Sequence, residues 1–180
     1  MTNGKWEKLT LLIIGALVLA ADQVSKYLVM TNLTIGESWA PIPALERWFV
    51  FHYATNTGAA FGLFPELGLF FAIIAAVVAV IIVLYYRYLP QGQWLVRISL
   101  GLQLGGALGN LLDRVQHGHV IDFLDFRVWP VFNVADSAIV AGVTILAFCL
   151  LREDWQEQKQ LRAENAEGKN EKKSSLSLSD

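Results

Sequence analysis

Four sets of polar residues interrupt otherwise apolar stretches, and their spacing suits chemistry. Asn110 and Asp113 are three apart, as are Asn133 and Asp136. That spacing puts both members of each set on one helical face. Two carboxylates sharing a site cannot both ionise cheaply, so the pair holds one proton. One member can then activate a water while the other donates to the carbonyl oxygen under attack, and the roles reverse to protonate the leaving amine. Such hydrolysis needs no metal, serine or cysteine. Asn110 and Asn133 would orient the carboxylates or bind a peptide backbone.

The other polar sets carry bland readings beside the chemical ones. Asp22 and Lys26 are four apart and meet on one face, where an ion pair that orients polar neighbours is preferred over direct substrate contact. Ser25 and Lys26 point in different directions on a helix, which argues against a serine–lysine nucleophile. Asn56-Thr57-Gly58-Ala59-Ala60-Phe61-Gly62 reads either as a loop entering a helix or as a backbone clamp. Gly101, Gly105 and Gly109 form a small stripe spaced by four, a face for close helix packing. Arg114 could hold a carboxylate or anchor at headgroups. His52, His117, His119, Asp122 and Asp125 fall on the outer side, where His117-x-His119 is conceivable as a metal site, but no strong ligand spacing is present and ordinary loop residues are preferred. Acidic residues in membrane helices also serve as proton or ion relays. The shallow placement of Asp113 and Asp136 counts against a relay.

These residues need elements to carry them. Charged residues make up 17% of the 180-residue chain, about two thirds of the usual share. Leu67 to Tyr86 carries no charge, and Val131 to Leu151 carries only Asp136. A spanning helix needs roughly 20 apolar residues. Four segments meet that need: Leu9 to Met30, Leu67 to Tyr88, Trp94 to Leu112 and Val131 to Leu151. The first could pass for a signal peptide ending at Leu19-Ala20-Ala21, but its pattern continues beyond Lys26, so a retained helix is expected. Tyr85, Tyr86 and Tyr88 suit an interfacial belt. Arg97 sits one turn inside the third segment and is expected to snorkel to water. Asp113 falls at the outer end of that segment. Asp136 falls about 7 to 8 Å along the fourth from Val131.

Lys5, Lys8, Arg87, Arg97, Arg152, Lys159 and Arg162 fall on one side if the four helices alternate, against Arg47, Arg114 and Arg127 on the other. The positive-inside rule then places both termini in the cytoplasm and the loops 31–66 and 113–130 outside. Loop 31–66 contains the β-prone run Arg47 to Tyr53, so a small outward-facing sheet between helices one and two is expected. The fold class is thus an all-α membrane protein with four transmembrane helices and a small extracytoplasmic β-rich cradle. Residues 1–152 are expected to form the membrane domain, and 153–180 a charged tail whose start extends helix four and whose end, from Lys172, reads as disordered. Cys149 is alone, so no intrachain disulfide forms, and it reads as small apolar filler. No basic stripe suggests nucleic acid.

Five ordered blocks make the chain resemble the bacterial lipoprotein signal peptidase (signal peptidase II) family from about Leu11 to Leu150. They are Asp22-Gln-x-x-Lys26, Asn56-Thr-Gly-Ala-Ala-Phe61, Gly105-Gly-Ala-Leu-Gly-Asn-Leu-Leu-Asp-Arg114, Val120-Ile-Asp-Phe-Leu-Asp125 and Phe132-Asn-Val-Ala-Asp136. The resemblance implies an aspartic endopeptidase of the bacterial cytoplasmic membrane. It would remove the signal peptide of diacylglyceryl-modified prolipoproteins before the lipidated cysteine, near the extracytoplasmic face. The resemblance puts catalysis on Asp113 and Asp136, with Asp22, Lys26, Asn56, Gly109, Asn110, Arg114 and Asn133 binding substrate or shaping the site. It further implies no cofactor or metal, a monomer among phospholipids, and inhibition by the cyclic peptide globomycin.

Overall fold

The computed structural model describes residues 3–58 and 67–177, with side chains over 9–58 and 67–162. Ala59 to Gly62 of the Asn56 block, and the side chains of Lys5 and Lys8, lie outside the described residues. The element order is α1 (Asn3–Asn32), β1 (Ser38–Trp39), a 3-10 turn (Pro43–Leu45), β2 (Val50–Asn56), α2 (Gly68–Tyr86), α3 (Trp94–His117), β3 (Val120–Asp125) and α4 (Val134–Ser177). Four helices are long and apolar enough to cross a membrane: Leu9–Asn32, Gly68–Tyr86, Trp94–His117 and Val134–Arg162.

α3 is the central helix, packed against α1, α2 and α4. Its apolar window is 61% buried, against 17–22% for the other three, whose outer faces are left to lipid. Glycine makes that position possible. A Cβ on Gly105 would lie 2.6 Å from both the Gly15 carbonyl oxygen and Val18 Cβ, and one on Gly101 would lie 2.9 Å from Ile14 Cβ. Gly106, one residue round the helix, faces the Ala135 carbonyl of α4 in the same way. With no apolar driving force between helices in lipid, such close approach supplies the packing. Leu11, Ile82, Tyr86, Leu100, Leu104 and Cys149 close an apolar cluster among the helices.

Helix ends differ from the pattern-based bounds in ways that matter. α3 runs five residues beyond Leu112 and stops at Gly118, whose φ of 77° lets its N–H reach the Arg114 carbonyl at 3.0 Å. Asp113 and Arg114 are therefore inside the helix. α4 begins at Val134, so Asp136 is in its first turn and not a turn and a half down. At the other end α4 continues to Ser177, where an unstructured stretch from Lys172 is expected; its Glu, Lys, Gln and Ala residues favour propagating an existing helix.

The sheet differs too. β1 and β2 lie between α1 and α2 as expected, but the third strand comes from the α3–α4 connection. The order is β1-β2-β3, all antiparallel. β3 hides from alternation because its first four residues are all buried. Val29, Tyr53, Ile121 and Phe123 pack the sheet on the bundle. Arg97 does not reach water. It is 4% exposed, donates to the Leu89 and Pro90 carbonyls at 3.0 Å, and lies 4.9 Å over the Tyr86 ring. The Leu89 and Pro90 carbonyls, in the turn that follows α2, take the place of water at Nη2. Tyr86 is accordingly a core residue, while Tyr85 and Tyr88 stay exposed with Trp94 at the same end.

Glycine packing sets a stability prediction. Gly105→Val should cost roughly 1–3 kcal/mol by overpacking against backbone that cannot retreat. Val80→Leu, on a lipid-facing position, should cost nothing measurable. Thermal unfolding of the detergent-solubilised protein checks both, and an unchanged Gly105→Val midpoint would refute the packing role.

Candidate active site

The site is built on a buried cation. Lys26 Nζ lies 2.7 Å from Asp22 Oδ2 and 2.7 Å from Asp113 Oδ2, and donates to Asn110 Oδ1 at 3.2 Å. An ammonium has three protons, and these three acceptors use them. None of the three charged side chains is more than 1% exposed. The second oxygens are engaged as well. Asp22 Oδ1 accepts from the Ala135 N–H at 2.9 Å, at the start of α4. Asp113 Oδ1 accepts from Gln23 Nε2 at 2.9 Å, and its Oδ2 from the Ile121 N–H at 3.1 Å. Gly109 has no side chain because the Asp22 carboxylate lies 2.5 Å from where a Cβ would sit. This layer ties α1 to α3, α4 and β3 at once.

Two asparagines carry the order outward. Asn110 donates through Nδ2 to Asp136 Oδ1 at 2.7 Å while its Oδ1 faces Lys26. Asn133 is fully buried and caps α4: its Oδ1 accepts from the Asp136 N–H at 2.8 Å. Asp136 Oδ2 returns the contact, accepting from the Asn133 N–H at 3.4 Å. The three-residue spacing of Asn133 and Asp136 is therefore a reciprocal cap of the kind that satisfies orphan N–H groups at a helix start. Asn133 Nδ2 is left to face Asp122 Oδ1 at 2.8 Å.

Asp122 stands on β3, opposite Ala54 of β2. Asn56 Nδ2 donates to its Oδ2 at 3.1 Å, and Asn56 Oδ1 accepts from the Gly58 N–H at 3.0 Å. Burial, and then the Asp136 charge nearby, push the Asp122 carboxyl up to about 6; the bonds from Asn56 and Asn133 and the Lys26 charge pull against that rise. Asp122 and Asp136 line one cavity of about 740 Å³, with Asn56, Asn110 and Arg114 among its polar groups. Arg114 is fixed there by donating to the Gly58 carbonyl at 3.0 Å and the Asn110 carbonyl at 3.3 Å. Phe126, Trp129 and Phe132 on one side and Ile139 and Val140 on the other form an apolar wall.

The residues singled out from sequence thus fall into two layers. Asn56, Asn110, Arg114 and Asp136 line the cavity, with Asn133 directly behind. Asp22, Lys26, Gly109 and Asp113 form the buried layer beneath. Asp113, expected to face Asp136, is instead held by Lys26, Gln23 and the Ile121 amide and does not line the cavity. The carboxylate that joins Asp136 is Asp122. Its motif was visible at Val120 to Asp125, but an aspartate in a loop lacks the helical Asn-x-x-Asp signal that drew attention to Asp113. The histidines lie elsewhere: His52 bonds Ser38 Oγ at 2.8 Å, and the His117 and His119 rings are 6.1 Å apart. Among the described residues no three His, Cys, Asp or Glu side chains converge as metal ligands.

The family model described as Signal peptidase (SPase) II matches residues 14–152. The chain is 51% identical over 140 residues to the lipoprotein signal peptidase of Moorella thermoacetica, covering 78% of this chain and 91% of that one. It is 37% identical over 151 residues to that of Bacillus subtilis, covering 82% and 96%. Two solved structures are similar, both described as bacterial membrane enzymes determined by the in meso method. The one at 2.3 Å resolution gives a TM-score of 0.75 at 33% identity, covering 81% of this chain and 89% of that one. The one at 1.9 Å gives 0.71 at 34% identity, covering 79% and 92%. With four apolar helices and a carboxylate-lined cavity, and matched over most of its length, this multi-pass membrane protein belongs to the signal peptidase II family of peptidases.

Proposed function

We propose that the chain removes the signal peptide from diacylglyceryl-modified prolipoproteins, cutting before the lipidated cysteine with a water activated between Asp122 and Asp136. The carrying observation is that these two carboxylates, and not Asp113, share the cavity, each held by asparagine amides. Asp122 keeps a proton below about pH 6 and acts as the acid, donating to the scissile carbonyl oxygen. Asp136 takes a proton from the attacking water. The C–N bond breaks as that proton passes from Asp136 to the amine and a hydroxyl of the tetrahedral diol returns its proton to Asp122, so the pair ends with the one proton it began with. Asn110 and Asn133 orient Asp136, and Arg114 offers its guanidinium to the substrate backbone. Asp22, Lys26, Gly109 and Asp113 are the frame.

The membrane supplies the approach. Val140, on the cavity wall, is also exposed on the lipid side of α4, so a signal helix and its acyl chains can arrive sideways from the bilayer. Arg87, Arg97 and Arg152 stand at the end of the bundle opposite Asp122. That bias supports cytoplasmic termini, a cytoplasmic-membrane location, and a cradle with its active site at the extracytoplasmic face. A monomer surrounded by phospholipid suffices for this chemistry, and globomycin would act by occupying the same cavity.

Substitutions separate the two layers. Asp122→Asn and Asp136→Asn should each slow cleavage of purified lipidated precursor by ~10³-fold or more with melting temperature retained. Asp113→Asn should instead lower stability, by up to roughly 3–5 kcal/mol, because it strips a partner from a buried ammonium. An active Asp122→Asn variant would sink the pair. The pH dependence has a defined sign. The raised carboxyl must be protonated in the free enzyme, so kcat/KM should fall as pH rises through about 6. A profile flat from well below that value to well above it would exclude Asp122 as the acid.

A further inference from the structure

Asp122 is reached from two sides. One is the cavity shared with Asp136. The other is a second cavity of about 440 Å³, lined by Ala54 to Thr57, Asp122, Pro130 and Val131. Asn56, Asp122, Pro130 and Val131 line both, and the 3.1 Å hydrogen bond between the first two lies where the cavities meet. The two sides differ in chemistry. The first runs out along apolar α4. The second carries the exposed residues Thr55 and Thr57.

Among the described residues, the strand beside the second cavity has an open edge. The Tyr53 N–H donates to the Glu37 carbonyl at 3.0 Å, and the Tyr53 carbonyl accepts from the Gly36 N–H at 2.8 Å. The polar groups of Tyr53 therefore face β1. Alternation turns those of Ala54 and Asn56 toward β3, where they stand in register with Asp122 and Val120, and turns those of Thr55 back toward the β1 side. β1 pairs with β2 only at Phe51 and His52, and the Tyr53 contacts end that side. Among the described residues no strand faces Thr55 there.

We propose that the second cavity and the Thr55 edge bind the polypeptide that follows the lipidated cysteine, taken up as an extended strand added to β2. This rests on the peptidase reading of Asp122 and Asp136. A peptide bond presented to Asp122 has chain on both sides, and the two cavities meet at that carboxylate. The apolar signal segment suits the α4 side. The mature segment suits the side with hydroxyls and a free strand edge. Strand addition uses backbone groups for affinity, so it holds a mature chain without reading its sequence.

The test compares two synthetic lipidated precursors, one ending at the cysteine amide and one continuing about six residues further, enough for a short strand. The longer one should have a KM lower by about tenfold, the worth of two backbone hydrogen bonds. Backbone N-methylation along its extension should raise KM at alternate positions only. Thr55→Pro removes the edge N–H without touching the β2–β3 ladder, and should abolish the advantage of length while leaving the short substrate's kcat and KM unchanged; Thr55→Ala should retain it. Equal KM values for the two lengths, N-methyl effects without alternation, or equal damage to both substrates by Thr55→Pro would overturn the proposal. The N-methyl series on unaltered enzyme decides the matter if Thr55→Pro does not fold. Asp122-independent cleavage would instead overturn the peptidase reading, whatever the effect of length.

Discussion

A buried ammonium between two buried carboxylates fixes everything above it. Lys26 sits on α1, and its acceptors are on α1 and α3; the other oxygen of Asp22 accepts from the Ala135 amide that opens α4, and the Asp113 oxygen facing Lys26 also accepts from the Ile121 amide of β3. A charge taken out of water is tolerated only when it is fully paired and hydrogen-bonded. Here every proton of Lys26 and both oxygens of each carboxylate are used. Four elements are consequently held at one depth, and two of them, β3 and α4, carry Asp122 and Asp136. Carboxylates on a strand and a helix start gain their placement from a layer that does not line the cavity.

Glycine and asparagine do complementary work around that layer. The stripe on α3 brings α1 close enough for Lys26 to reach Asp113 without a long, mobile reach. The asparagines then convert rigid backbone into aimed side chains. Asn110 links the ammonium to Asp136, and Asn133 links the first turn of α4 to Asp122. Neutral amides are suited to this because each offers a donor and an acceptor at fixed angles and adds no charge to the site.

The four spans, their approximate limits and the Asp22–Lys26 meeting were legible from hydropathy and helical spacing, which are local properties. What was not legible was long-range. Asn-x-x-Asp occurs twice, yet only at Asn133 and Asp136 does it cap a helix; at Asn110 and Asp113 the same spacing lies near the end of a helix that continues to His117. Nothing local says that Lys26 claims Asp113 and leaves Asp122 to the cavity. β3 was hidden because burial on both faces erases alternation. Arg97 was misread because its acceptors, the carbonyls of Leu89 and Pro90, exist only once α2 has ended beside it.

The amides next to Asp122 have an orientation that cannot be exchanged. Asn56 and Asn133 each commit their oxygen to a backbone N–H, at Gly58 and at Asp136, so each presents only its NH2 group to the carboxyl. An asparagine free to flip could accept a proton's hydrogen bond from one side and quench it. Neither can. When Asp122 is protonated, neither of these two amides turns its oxygen toward the O–H, which is left for whatever arrives in the cavity. Two turns of main chain thereby give that O–H a direction before anything enters the cavity.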